Sequence, residues 1–102
     1  MNLVGDFADT DPKPVWDFTC RWGAHRIQDV RLAVSCCVLE HLLQYHFDAY
    51  FPRVRALAKS NARFAWTVLM CGKFGQSEIP ANARRLARLQ SDVRGWHGPR
   101  LR

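Results

Sequence analysis

The first apolar stretch alternates. In VWDFTCRW, residues 15–22, Trp16, Phe18, Cys20 and Trp22 share one parity, and Val15, Asp17, Thr19 and Arg21 the other. Period two with an aromatic face predicts a strand. Gly23 and Ala24 then supply a turn. The next stretch reads two ways. Val30, Leu32, Val34 and Cys36 alternate like a second strand, yet Ile27, Val30, Val34, Val38, Leu42 and Tyr45 recur at helical spacing. One reading is a β-hairpin of 15–22 with roughly 26–34, followed by a helix from about Ser35, a fair N-cap. The other is a single helix from Asp29 to Tyr50, beside a lone extended segment at 15–22.

Further along, the pattern is helical. The stretch CCVLEHLLQYHFDAYF is expected to end before Pro52, because a residue preceding proline avoids the helical region. Pro52 suits the first turn of a next helix, which sets Val54, Leu57, Ala58, Ala65, Val68 and Leu69 on one side and stops at Gly72. KFGQSE reads as a loop. A last helix is expected from Pro80 to Arg94, ended by Gly95, with WHGPRLR as a tail held by Trp96. The expected fold class is α+β and mostly helical: a short N-terminal β-hairpin followed by about three amphipathic helices.

Length keeps this to one small domain. The 102 residues are 48% hydrophobic and 24% charged, ordinary values for a globular chain. Residues 1–14 carry Asp6, Asp9, Asp11, Pro12 and Pro14 and read as a mobile acidic arm, leaving 15–102 as the globular domain. No apolar run approaches the roughly 20 residues needed to span a bilayer. The N-terminus lacks a basic stretch followed by an apolar one. The expectation is a cytoplasmic protein without a membrane partner.

Charge changes the picture most. The formal net charge is +6. Up to Pro52 acids outnumber bases seven to four, while from Arg53 onward bases outnumber acids eleven to two. Such a dipolar chain favours an anionic partner at its second half, either nucleic acid or an acidic protein surface. On the last helix Ile79, Ala83, Leu86, Ala87, Leu89 and Val93 gather on one arc. Arg84, Arg85 and Arg88 gather opposite, with Arg94 near an edge. These arginines either keep a surface helix wet or grip phosphate. Upstream, Arg53, Arg55, Lys59, Arg63 and Lys73 add to the field, and Trp96 offers a ring on which a base could stack.

Candidate chemistry is sparse. Cys20, Cys36, Cys37 and Cys71 form no CxxC pair, and Cys37 and His41 alone share a helical face. The expected cysteine is a small buried hydrophobe. Cys71 has a basic neighbour in sequence, Lys73, to activate a thiol. His41 and His46 have no nucleophile, phosphate loop or carboxylate pair beside them. Trp16, Phe18 and Trp22 are expected in the core. Tyr45, Phe47, Tyr50 and Phe51 form an aromatic patch that could seat a homodimer.

The sequence therefore points to a small non-enzymatic binding protein with no cofactor and no metal. Its basic half would contact nucleic acid or a nucleic-acid-handling complex through Arg84, Arg85, Arg88, Arg94, Arg53, Arg55, Arg63, Lys73 and Trp96. The alternative is a protein-interaction factor, such as a phage-type, anti-CRISPR-like inhibitor or an immunity protein that blocks a host complex.

Overall fold

A computed structural model describes residues 11–101. The first helix among the described residues, α1, runs Pro12–Trp22. Asp11 stands before it in extended conformation, and its carboxylate accepts the Lys13 N–H at 3.3 Å. Pro12 and Pro14 fall in the first turn, where a helix needs no N–H. Val15, Trp16 and Thr19 are buried, a stripe at helical spacing. Phe18 is 48% exposed. The expected hairpin is thus overturned: no strand occurs among the described residues, and the fold is all-α. The alternation of aromatics at 16, 18, 20 and 22 masked a helix whose start signal, Asp11-Pro12, lay in the stretch read as an arm. Residues 1–10 of that expected arm lie outside the described residues.

A long rod follows. It comprises α2 (Gln28–Val34), a π-helical turn (Ser35–Leu39) and α3 (Glu40–Ser60). The helical alternative for this stretch is the one the fold adopts. The rod also passes through Pro52, where an end was expected. Its break lies earlier, at His46, whose φ and ψ (−137°, 45°) leave the helical region. There the Gln76 side chain enters the gap. Its amide oxygen accepts the Phe47 N–H at 2.9 Å, and its amide nitrogen donates to the Tyr45 carbonyl at 2.7 Å. One side chain thereby satisfies two backbone groups that the break leaves open. Gln76 belongs to a 3-10 turn, Gly75–Glu78. Gly75 has φ +55°, and a Cβ there would lie 2.2 Å from Gln44 Cγ, so only glycine lets this turn press against α3.

α4 (Ala62–Leu69) begins at Asn61, whose side chain accepts the Phe64 N–H at 3.0 Å. Five consecutive residues, Phe64 to Val68, are buried, because α4 has α2, α3 and α5 around it. Its C-terminal carbonyls meet the Gln90 side chain, which donates to Val68 at 3.1 Å and Cys71 at 2.9 Å. α5 (Pro80–His97) continues through Gly95 and stops at Gly98, which has φ +53°.

The core lies where α3, α4 and α5 meet: Leu42, Leu43, Phe47, Val54, Phe64, Val68, Leu86, Leu89 and Val93 are buried there. Phe47, Tyr50 and Phe51 are buried with them, and Tyr50 packs on Trp16 at 5.7 Å between ring centres. Most of the aromatic patch read as a dimer seam therefore builds the core. Buried His97 donates from Nε2 to the Ala58 carbonyl at 2.6 Å, tying the end of α5 to α3. No helix among the described residues is long and apolar enough to cross a membrane.

A candidate anion-binding groove

The second half of α3 and the length of α5 lie side by side. Asn82, Leu86, Leu89, Val93 and His97 turn α5 inward, which sets Arg84, Arg85 and Arg88 outward. Between the helices runs an open groove of about 490 Å³, lined by Phe51 and Arg55 of α3 and by Ala81, Arg84, Arg85, Arg88, Leu89 and Asp92 of α5. Ile79, expected on the apolar arc, is instead 51% exposed.

The arginines are held to different degrees. The Arg85 guanidinium lies over two stacked rings, 4.7 Å from Phe51 and 5.3 Å from Phe47. It also donates to Asp48 Oδ1 at 3.2 Å and Asn82 Oδ1 at 3.4 Å. Arg88 donates from Nε to Asp92 at 3.3 Å, one turn along the same helix. Arg55 lies 5.3 Å from the Trp96 ring, and Lys59, one turn further on α3, lies 5.7 Å from it. Arg84 and Arg55 have no ion-pair partner among the described residues. The groove and its Trp96 end thus gather five cations against two carboxylates, Asp48 and Asp92. Surface ion pairs like these contribute only about 0–1 kcal/mol, so an incoming anion displaces them at small cost.

Of the nine residues singled out from sequence, the fold brings Arg55, Arg84, Arg85 and Arg88 to the groove and places Trp96 beside Arg55. Arg94 is exposed on α5 but does not line it. Arg53 lies over the Tyr50 ring at 5.2 Å, away from the groove. Arg63 is exposed on α4, and Lys73 sits in the α4–α5 connection. The sequence offers Phe51 only as part of an aromatic patch and Lys59 only as part of the upstream field, neither as a contact of the site. Their signal was present, since Phe51, Arg55 and Lys59 recur at steps of four.

Three of the four thiols, Cys20, Cys36 and Cys71, are shifted away from the nucleophilic thiolate. Burial pushes the Cys71 thiol far up, Glu40 and Cys36 add to this, and the opposing effect of Lys73 is the weakest of the four. Local desolvation likewise raises Cys20 and Cys36, with acidic neighbours Asp17 and Glu40 contributing. Cys36 and Cys37 are exposed, against the expectation of buried cysteines. No group of three or more His, Cys, Asp or Glu positioned to hold a metal occurs among the described residues. His41 and His46 lie on one rod, each with a buried ring nitrogen lacking a hydrogen-bond partner among those residues.

Comparison with known protein families, with curated proteins and with solved structures returns no match to this chain.

Proposed function

We propose that this chain is a non-enzymatic binding protein that grips the phosphate backbone of nucleic acid in the α3/α5 groove. The observation that supports this reading best is the convergence of Arg55, Arg84, Arg85 and Arg88, from two helices, on one open groove. A solvated helix face needs no such convergence. Arginine forks suit phosphate oxygens, and each neutralised phosphate releases counterions. Anisotropy of labelled DNA and RNA against the purified, reduced protein tests it. Affinity falls as salt rises, and the log–log slope shallows by about 0.7–0.9 for each phosphate contact removed. The variant R55Q/R84Q/R88Q shows that shallower slope. Wild-type affinity and slope in this variant would remove the groove from the account.

A second surface supports the protein-interaction reading. Phe18, Trp22, Val30, Ala33, Val34, Cys37 and Val38 line a nearly apolar groove of about 340 Å³ between α1 and the rod. Exposed Ile27 and Leu32 lie on the same stretch of chain. A factor that blocks a host complex, such as a phage-type inhibitor or an immunity protein, needs an apolar anchor of this kind. A partner retained at high salt by the wild type and lost by F18D would favour this reading over the first.

A further inference from the structure

The groove offers shape and an aromatic ring as well as charge. From these, and resting on the anionic-groove reading above, we infer that its ligand is single-stranded nucleic acid. The phosphates track along Arg84, Arg85 and Arg88, and one base stacks on Trp96.

Shape keeps α5 out of a duplex's major groove. A helix that reads a duplex enters a major groove about 12 Å wide, and is itself about 10–12 Å across, so its flanks must be free. The flank of α5 beside its arginines is walled by Phe51 and Arg55 of α3. Between Ala81 and Asp92 the helix rises about 16 Å. The groove of about 490 Å³ runs along that length, an elongated course that suits an extended strand.

Chemistry supplies the base contact. Trp96 is half-buried, and two cations one turn apart on α3, Arg55 and Lys59, lie against its ring. A guanidinium and a base seek the same face of an indole. A base that takes the place of Arg55 on Trp96 releases that arginine, which already lines the groove, to a phosphate. Arg85 needs little rearrangement, since the Phe47 and Phe51 rings hold its guanidinium at the groove beforehand. An acidic peptide without aromatic side chains would satisfy the arginines but give Trp96 no ring to stack.

Competition on the full-length, reduced protein tests this with four probes: a 12-mer of oligothymidine, a duplex of the same length, inorganic polyphosphate and oligoglutamate. The single strand is expected to bind about tenfold more tightly than the other three. W96L loses at least about fivefold for the single strand, the lower end of what one stacked base contributes, while W96F retains binding. Circular dichroism checks that both variants fold, and the salt slope of W96L stays that of the wild type. Polyphosphate or duplex equal to the single strand, or full single-strand affinity in W96L, overturns the inference but leaves the anionic groove standing. Tighter binding of oligoglutamate overturns it in favour of an acidic protein partner. Failure of every anion to bind at low salt removes the groove reading itself.

Discussion

Arg31 and the arginines of α5 are the same residue put to opposite uses. Arg31 is 2% exposed. Its Nη1 donates to the carbonyls of His25 and Arg26, at 2.7 and 3.2 Å, and its guanidinium lies 4.9 Å from the Trp66 ring. It closes the α1–α2 connection from within. The Arg88 side chain is 81% exposed and touches one carboxylate of its own helix. The difference is what aims at each side chain. Where backbone carbonyls converge on a guanidinium, it becomes part of the fold. Where only solvent and weakly held acids face it, its hydrogen-bonding capacity is left for a ligand.

Substitutions can break this contrast. The largest effect is expected from Arg31→Ala, which strands two carbonyls and opens a cavity beside Trp66. It should cost about 3 kcal/mol in urea unfolding. A loss below about 0.5 kcal/mol would make Arg31 as dispensable as a surface arginine. Gln76→Ala comes next, at about 2 kcal/mol, since it leaves the Phe47 N–H and Tyr45 carbonyl unpaired. Hydrogen exchange at the Phe47 amide should quicken with it. R84Q/R88Q should leave the unfolding midpoint in place while nucleic-acid affinity falls about tenfold at low salt, the loss of one or two charge-assisted bonds. Removing the competitor should do the reverse. Asp48 is 87% exposed on its side chain, so Asp48→Asn leaves stability unchanged and raises affinity about twofold, read by the same titration.

The smallest effect concerns Cys71. Burial raises its thiol pKa in the folded protein above the unfolded value, so the folded state holds the proton longer. The stabilisation is complete below the ordinary thiol range, around pH 8.5, and fades as pH climbs beyond it. Cys71→Ala should flatten that alkaline decline in a series of melts.

The long helices, the arginine face and the α5 start at Pro80 were legible in the chain, because amphipathic spacing and a proline are local signals. What failed was also local, but ambiguous. At 15–22 an even-numbered aromatic series outweighed the stripe of Val15, Trp16 and Thr19, and threonine does not announce that it will be buried. In the rod, polar Arg31 and Ser35 lie in the buried face, and the π turn shifts its register, so no single period describes it. Pro52 suggested a boundary, yet the true ones are His46 and Asn61. Asn61 carried a cap signal. His46 carried none, since its break depends on a glutamine thirty residues away. Of the groove, the arginines were legible one by one. Which of them meet was not: helical spacing sets Arg53 and Arg55 on different faces of α3, but only packing decides which face turns to α5.

The amide of Gln76 works as a mitred joint. It sets the angle at which the two halves of α3 meet, and everything beyond Phe47 swings with that angle. From the joint to Arg55 is about 12 Å of helix, so a turn of ten degrees moves that end by about 2 Å. The span between Arg55 and the α5 arginines is therefore adjusted from the middle of the rod. Evolution could widen or narrow the grip by altering Gly75 or Gln76, without touching a single charge.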